Sequence, residues 1–535
     1  MLSLISVYDK TNIEKVATRL GKIISSGGTA KYLKSKNINV QEVSNFTGFP
    51  EILNGRVKTL HPKIFGGILH LPDLENQTHK EIEPITVVIV NLYPFFENKT
   101  IENIDIGGVS LIRAAAKNYK YVTVLTNPNQ YDEFLENYPH NITLEYRHRL
   151  AQEAFKLTSL YDSEISNWFS GIPLKYGCNP YQKQASISSH GNMPFEILNG
   201  SPGYINILDA INSWYLVNEI KHSIKMPAAA SFKHVSPAGV SIAENIIDAY
   251  IQARDCDPKS SFGDFIAVNE KVPIKLAEYI KTKVCDGIIA PDFEPEALEI
   301  LESKKKGSFI VLKGNPINLD NYVEERRIKD LLIRQETNNY IFTEKDLLKI
   351  VTKKKLLPEN IKKDLVLANI TLKYTQSNSV CYALNGQTIG IGAGQQSRID
   401  CIKIARKKAE LFLLRSHPTV ENLVFKKEVK HQQKINAIYQ YLENDMSKIE
   451  YDNWLTLFEI PPPPFLENHK DYLKNIKDIC LASDAFFPFR DSIDQSRWVN
   501  YVSQPGGSVA DEDVIRACNE NDIVMCFTNV RLFHH

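Results

Sequence analysis

The sequence predicts an α/β protein, and three observations carry that prediction. Short apolar, β-branched runs alternate with helical stretches through the first part of the chain. The run Ile85-Thr-Val-Val-Ile-Val90 is almost unbroken in apolar residues, the pattern of a strand buried on both faces. Several strand-like runs end in glycine or polar loops that lead into helices, as in the strand–helix units of a parallel sheet. In order, Lys22-Ile-Ile-Ser25 reads as a strand, Ser26-Gly-Gly-Thr29 as its turn, and a helix follows from Ala30. Ile106-Gly-Gly-Val109 opens a helical stretch over 110–118, and Tyr121-Val-Thr-Val-Leu125 is a further strand. A long helical stretch over 144–169 closes this part. Gly171-Ile-Pro173 breaks it, which divides the chain into residues 1–171 and 172–535. The remainder is α/β but less regular, with strand-like runs at 228–234, 286–291, 369–379 and 480–491. The charged segment 320–358 reads as a helical connecting subdomain, and Pro461-Pro-Pro-Pro464 as a stiff connector.

A chain of 535 residues is too long for one core and fits two to four domains. Lys plus Arg and Asp plus Glu both number 63, so the formal charge is zero. Proteins that wrap nucleic acid carry a basic excess, so nucleic acid is excluded as a partner, whereas small anions need only a few placed cations. The eight cysteines include no C-x-x-C pair and read as reduced residues of a cytosolic protein. No secretory signal opens the chain and no apolar run is long enough to span a bilayer, so a soluble cytosolic protein without membrane contact is expected.

Ser26-Gly-Gly-Thr29 suits a phosphate, because successive glycines turn backbone N–H groups toward a ligand at a positive helix N-terminus. The bland reading is a common strand–helix connector. Ser6-Val-Tyr-Asp-Lys-Thr11 offers hydroxyls and an ammonium after the first strand. In Gly55-Arg-Val-Lys-Thr-Leu-His-Pro62, Arg56 and Lys58 alternate with Val57, so on an extended backbone both cations share one face. Asn91-Leu-Tyr-Pro-Phe95 lies at the carboxyl end of the buried strand, where ligands bind in open α/β sheets. Asp105 precedes Gly107-Gly108, and Lys117 lies on the helix that follows.

In the second part, 228–239 runs from a small-residue strand into a loop, and Lys233-His234 sits where they meet. A lone histidine is more often structural than basic. A neighbouring lysine, a proline-bounded loop and a strand end favour an exposed, rigid site instead. The strings VYDKT, SGGTA, GRVKTLHP, NLYPF, IDIGG, RAAAKN, KHVSPAG, SSFGD, KYTQSNS, GAGQQSR, SDAFFPFRD and RLFHH occur in that order. This series resembles, nearly end to end, the bienzyme family that joins aminoimidazole carboxamide ribonucleotide transformylase to inosine monophosphate cyclohydrolase.

The resemblance implies a methylglyoxal-synthase-like parallel sheet domain, then a transformylase region of two cytidine-deaminase-like α/β subdomains without zinc. The deaminase signature H-x-E with P-C-x-x-C is absent, so no catalytic metal is expected. It implies formyl transfer from 10-formyltetrahydrofolate to the 5-amino group of the carboxamide ribonucleotide. Ring closure to inosine monophosphate follows, in a homodimer with small-molecule substrates. Ser6, Lys10, Thr11, Ser26, Gly27, Gly28, Thr29, Arg56, Lys58 and Thr59 would hold a nucleotide phosphate in the cyclohydrolase domain, with Asn91 and Gly107 as further substrate-binding residues. Lys58, Tyr93, Asp105 and Lys117 would surround the ring-closing atoms. In the transformylase, His234 would take the amine proton, Lys233 would stabilise the oxyanion or protonate the leaving nitrogen, and Asn378 would hold the formyl oxygen. Lys175, Tyr176, Asn206, Phe262, Gly263, Asp286 and Arg531 would bind the nucleotide. Phe486, Phe489, Asp491 and Arg398 would bind the folate.

Three positions depart from the family pattern. Tyr8 stands where some members carry serine, Lys175 where arginine is usual, and Tyr181 in place of a histidine. Lys175 keeps charge but not a bidentate fork. These departures leave open an alternative, the same scaffold with only one activity retained. A nucleotide- or folate-sensing binding protein is disfavoured by Lys233, His234, Lys58 and Asp105, since a binder needs no proton-transfer groups.

Overall fold

A computed structural model describes residues 1–72, 82–189, 191–317, 322–329, 331–464 and 469–535. The chain packs as two units, Met1–Ile172 and Pro173–His535.

The first unit is built on a five-stranded, wholly parallel sheet. Its strands are β1 (Leu2–Val7), β2 (Lys22–Ser25), β3 (Gln41–Glu42), β4 (Ile85–Asn91) and β5 (Thr123–Leu125), in the order β3-β2-β1-β4-β5. The chain winds outward from β1 to β3, then returns to place β4 on the other side of β1. The crevice between the carboxyl ends of β1 and β4 is therefore the switch point where such sheets bind ligands. Leu4, Ile5, Ile24, Val88 and Ile89 are fully buried, as expected for strands covered by helices on both faces. The long helix is Leu144–Ser170, capped by the Thr143 side chain, which accepts from the Tyr146 N–H.

The second unit holds one eleven-stranded mixed sheet that contains an internal repeat. The first copy runs helix Tyr204–Ser223, hairpin Ala228–Lys233 and Ser236–Ile242, helix Ile246–Asp255, then strands Asp264–Val268, Cys285–Ala290 and Ile310–Gly314. The second runs helix Glu359–Lys373, hairpin Val380–Leu384 and Gln387–Gly392, helix Arg398–Leu414, then strands Cys480–Ser483, Tyr501–Gln504 and Val524–Phe527. The copies meet where Ser241 pairs antiparallel with Gln387. Both leading helices contribute to one shared core, while the opposite face carries separate cores for the two copies. Strand Gln387–Gly392 lies so close to its helix that a Cβ on Gly392 would stand 2.0 Å from the Cys401 carbonyl oxygen.

Three expectations need correction. The described parts of 320–358 hold a β-hairpin, Val323–Ile328 with Leu331–Glu336, followed by loops with only a short 3₁₀ helix, Glu344–Leu347, rather than a helical subdomain. Residues 369–373 are not strand but the last turn of helix Glu359–Lys373, whose residues from Asp364 onward are all buried. A continuous apolar run cannot separate buried helix from buried strand. Finally, 56–59 is not extended. Leu53–Gly55 forms a 3₁₀ turn, closed by an Ile52–Val57 bridge, and Arg56 has helical dihedrals. Arg56 and Lys58 therefore do not share a strand face.

Candidate active sites

In the first unit Ser6, Lys10, Ser26–Thr29, Asn91 and Tyr93 lie at or just after the carboxyl ends of β1, β2 and β4. A cavity of about 990 Å³ opens there, lined among others by Tyr8, Lys10, Asn91, Tyr93 and Gln130. The Ser6 and Ser26 hydroxyls lie 2.8 Å apart, joining the β1 and β2 ends. Thr29 uses its hydroxyl on β1, accepting from the Val7 N–H and donating to the Val7 carbonyl, both at 3.0 Å. The Asn91 amide closes the other side, accepting from the Tyr8 and Asp9 N–H groups at 2.6 and 3.0 Å and donating to the Asp9 carbonyl. Lys10 Nζ donates to the Tyr8 carbonyl, and Thr11 bonds to Asp9. Thr29 and Asn91 thus shape the loop.

The glycine turn already holds an anion. Gly27 N–H, at the start of helix Gly27–Ser35, donates to the Glu51 carboxylate at 3.1 Å. Gly28 has open space around its Cβ position. Arg56 is exposed and paired with Glu102. Thr59 is buried, and its hydroxyl lies 3.1 Å from where a Cβ on Gly107 would stand.

Asp105 heads helix Gly107–Lys117 and accepts from the Gly108 N–H at 2.6 Å. A Cβ at Gly108 would stand 2.4 Å from that carboxylate, which explains the second glycine of the motif. The Tyr161 hydroxyl, on the long helix, accepts from the Asp105 N–H at 2.8 Å and donates to the Asn103 carbonyl at 2.7 Å, fixing this loop. Burial raises the Asp105 carboxyl above its ordinary value, against the Gly108 and Tyr93 backbone donors and Lys58. The Tyr93 phenol is also raised, by burial and then by the Asp105 and Glu51 charges. Lys58, Tyr93 and Asp105 therefore form one electrostatic cluster. Lys117 does not join it within the chain. It is exposed on the last turn of the helix whose first turn Asp105 caps, about 15 Å along the axis at 1.5 Å per residue.

In the second unit, strand register brings the expected residues to one edge of the sheet. Lys233 pairs with Ser236, Phe232 with Phe265, Asp264 with Cys285, Gly392 with Val380, and Val380 with Ser483. His234, Phe262, Gly263, Asp286, Asn378 and the 484–491 loop thus all lie at the same ends of their strands. Arg531 follows Val524–Phe527, which exits at that edge too. Lys233 Nζ donates to the Phe262 carbonyl at 2.6 Å, while His234 is exposed. Asp286 pairs with Lys305 at 2.7 Å. Asn378 Nδ2 donates to the Gln395 and Gln396 carbonyls at 3.1 Å, and its Oδ1 accepts from Arg398 at 3.0 Å.

Arg398 is itself buried and ion-paired with Asp484, which also accepts from the Ser377 and Ser379 hydroxyls. Its contacts are therefore with Asn378 and the loop around it. Lys175 is exposed and lies on a segment tied to the start of helix Tyr204–Ser223, through Lys175 N–H to the Pro202 carbonyl and Tyr204 N–H to the Tyr176 carbonyl. The Asn206 side chain accepts from the Gly203 N–H in that same turn. Phe486 and Phe489 are 43% and 66% exposed, Asp491 opens a short helix, and Arg531 stacks on Phe533. Among the described residues, no group of three His, Cys, Asp or Glu side chains is arranged to hold a metal ion, and no helix is long and apolar enough to cross a membrane.

The sequence profile described as AICARFT/IMPCHase bienzyme matches residues 115–408, and that of the MGS-like domain matches residues 12–123. The chain belongs to the AICARFT/IMPCHase bienzyme family. It is accordingly an enzyme with two activities, aminoimidazole carboxamide ribonucleotide transformylase and inosine monophosphate cyclohydrolase, the last two steps of purine biosynthesis. Curated relatives align over the full chain. The bifunctional purine biosynthesis protein PurH of Aquifex aeolicus is 35% identical, with all of both chains covered. PurH of Thermoanaerobacter sp. is 36% identical, over 100% of this chain and 99% of its own.

Residue-by-residue reading missed Glu51, Tyr161, Asp209 and Asp484. Glu51 lies within the string that leads into Gly55, so its neighbourhood carried a signal. Asp484 lies inside the SDAFFPFRD string, but its partners Ser377, Ser379 and Arg398 are remote in sequence, and Tyr161 and Asp209 act on backbone N–H groups that no local pattern reveals.

Proposed function

We propose that the two activities reside in separate units, each with its own proton-transfer residues. In the first unit, Ser26–Thr29, Ser6 and Lys10 take the nucleotide phosphate, which displaces the Glu51 carboxylate from the Gly27 N–H. Lys58 stabilises the oxyanion formed as the carboxamide nitrogen attacks the formamide carbon. Asp105, whose burial favours its protonated form, protonates the departing hydroxyl as water and takes up the proton released by the attacking nitrogen, so that two N–H protons leave with the oxygen, and Tyr93 orders the reacting groups.

In the second unit the donor is 10-formyltetrahydrofolate. The 5-amino nitrogen attacks the formyl carbon, His234 accepts the amine proton, and Lys233 donates to the oxyanion and then to the folate nitrogen as its bond to carbon breaks. Asn378 Nδ2 turns one N–H from the Gln395 or Gln396 carbonyl to the formyl oxygen, with Arg398 and Asp484 as its positioning residues. Phe486 and Phe489 offer apolar walls for a flat ring. Phe262, Gly263, Asp286, Lys175, Tyr176 and Arg531 bind the nucleotide. The observation that supports this reading is the sheet register, which brings Lys233, His234 and Asn378 to one edge from two different repeats. We propose also that the protein acts as a homodimer, because the hairpin Val323–Ile328 with Leu331–Glu336 exposes every residue of both strands and needs a covering partner.

Purified protein given the carboxamide ribonucleotide and 10-formyltetrahydrofolate should form inosine monophosphate without added enzyme. Accumulation of the formylated intermediate, or no consumption of formyl-folate, would favour the single-activity alternative.

A further inference from the structure

The Lys233–Ser236 pairing leaves only His234 and Val235 in the hairpin turn. A two-residue turn of this kind requires left-handed dihedrals at both positions, and Asn-Gly is its preferred filling. Here His234 has φ 54° and Val235 φ 61°. For a β-branched residue this is a strained conformation, and such strain persists only where its surroundings impose it.

The internal repeat supplies a comparison within the same molecule. The equivalent turn of the second copy is Asn385-Gly386, at φ 52° and 79°, which adopts the geometry without strain. Beneath each turn a buried carboxylate grips the second turn residue. Asp209 Oδ1 accepts from the Val235 N–H at 2.6 Å, and Asp364 Oδ1 accepts from the Gly386 N–H at 2.6 Å. Asp209 and Asp364 are each the sixth residue of their helices, Tyr204–Ser223 and Glu359–Lys373, and are 5% and 3% exposed. The clamp is thus a feature of the repeat, but only in the first copy does it hold a turn that its own residues disfavour. Because the copies run antiparallel where they meet, the Asn385-Gly386 turn lies at the opposite end of the sheet.

We propose that Asp209 is a positioning residue for formyl transfer, acting through the Val235 N–H to hold the His234 turn in its left-handed form, with Lys233 beside it aimed at the Phe262 carbonyl. This rests on the reading of His234 as the base. Burial also keeps the Asp209 carboxyl well above the usual carboxylate range, as a group enclosed by the protein rather than solvated should be.

The test uses the full chain and follows formyl transfer and ring closure separately. Asp209→Ala should lower kcat for transfer about 10- to 100-fold, the cost of a small misplacement of reacting groups. Substrate KM should change far less, and ring closure should be unaffected. Asp209→Asn, which keeps an acceptor oxygen, should restore kcat to within about 3-fold. The double variant Asp209→Ala with Val235→Gly should also regain activity, since glycine takes the turn unaided. Asp364→Ala, which removes the same bond under an unstrained turn, should leave transfer within about 2-fold. A folded Asp209→Ala protein with full transfer would overturn the proposal, as would an equal loss in Asp364→Ala. If Asp209→Ala does not fold, the double variant and Asp209→Asn decide, and a folded form of either that remains inactive overturns it. His234→Ala with undiminished transfer would instead overturn the reading of His234.

Discussion

Asp209 is a single acid in an otherwise apolar stretch of its helix, buried among residues such as Ile207, Ala210 and Trp214. Its carboxyl is pushed up to about 7, first by burial and then by the Asp286 and Asp264 charges, against the Val235 N–H. The folded value lies above the ordinary 3.8, so its contribution to stability is fully present below about pH 4 and is lost as pH rises to about 7. Relative to Asp209→Asn, which cannot ionise, the parent should lose up to about 4 kcal/mol of unfolding free energy across that interval and none beyond it. Urea unfolding of both proteins between pH 4 and 8 checks this, and a difference that is flat or grows in the other direction contradicts it. The place of Lys233-His234 at the end of a strand was legible in the sequence, because a histidine and a lysine in a proline-bounded loop form a local pattern. Asp209 was not, because its partner is a backbone N–H on a different element, 26 positions away.

The glycine turn after β2 shows how far an element can be read. Strand, turn and helix were expected from 22–30 and are observed as Lys22–Ser25 and Gly27–Ser35. The occupant was not expected, since Glu51 reaches the Gly27 N–H from a separate loop. A carboxylate at a helix N-terminus is favourable by about 0.3–1 kcal/mol, and on the proposed reading a nucleotide phosphate competes with it. Glu51→Ala should therefore tighten inosine monophosphate binding about 2- to 5-fold by that measure, and calorimetric titration that finds weaker binding would refute the competition. The hairpin Val323–Ile328 with Leu331–Glu336 was misread for a related reason. Its charged residues, Glu324, Glu325, Arg326 and Arg327, fall on both faces of its first strand, so that strand does not show the alternation that marks a half-buried strand. The turn at Leu53–Gly55 escaped for a third reason, since Gly55 at φ 83° reverses a backbone whose Arg–Val–Lys spacing looks extended.

Over the whole chain, the first unit was the more legible, because each parallel strand announces itself as an apolar run ending in a polar or glycine turn. The second unit concealed its repeat. The two copies share helix, hairpin and helix in order, yet their turns, His234-Val235 and Asn385-Gly386, have no residue in common, and a long helical insertion follows the second hairpin. Its two-subdomain character came from family resemblance, and the register that unites its edge is a long-range property. On the proposed assignment each unit carries out one step with its own residues. The most direct measurement is formyl transfer and ring closure assayed side by side in His234→Ala and Asp105→Ala proteins. The expected pattern is crossed, with transfer lost and ring closure kept in the first, and the reverse in the second. Loss of both activities in either folded variant, or of neither, would contradict it.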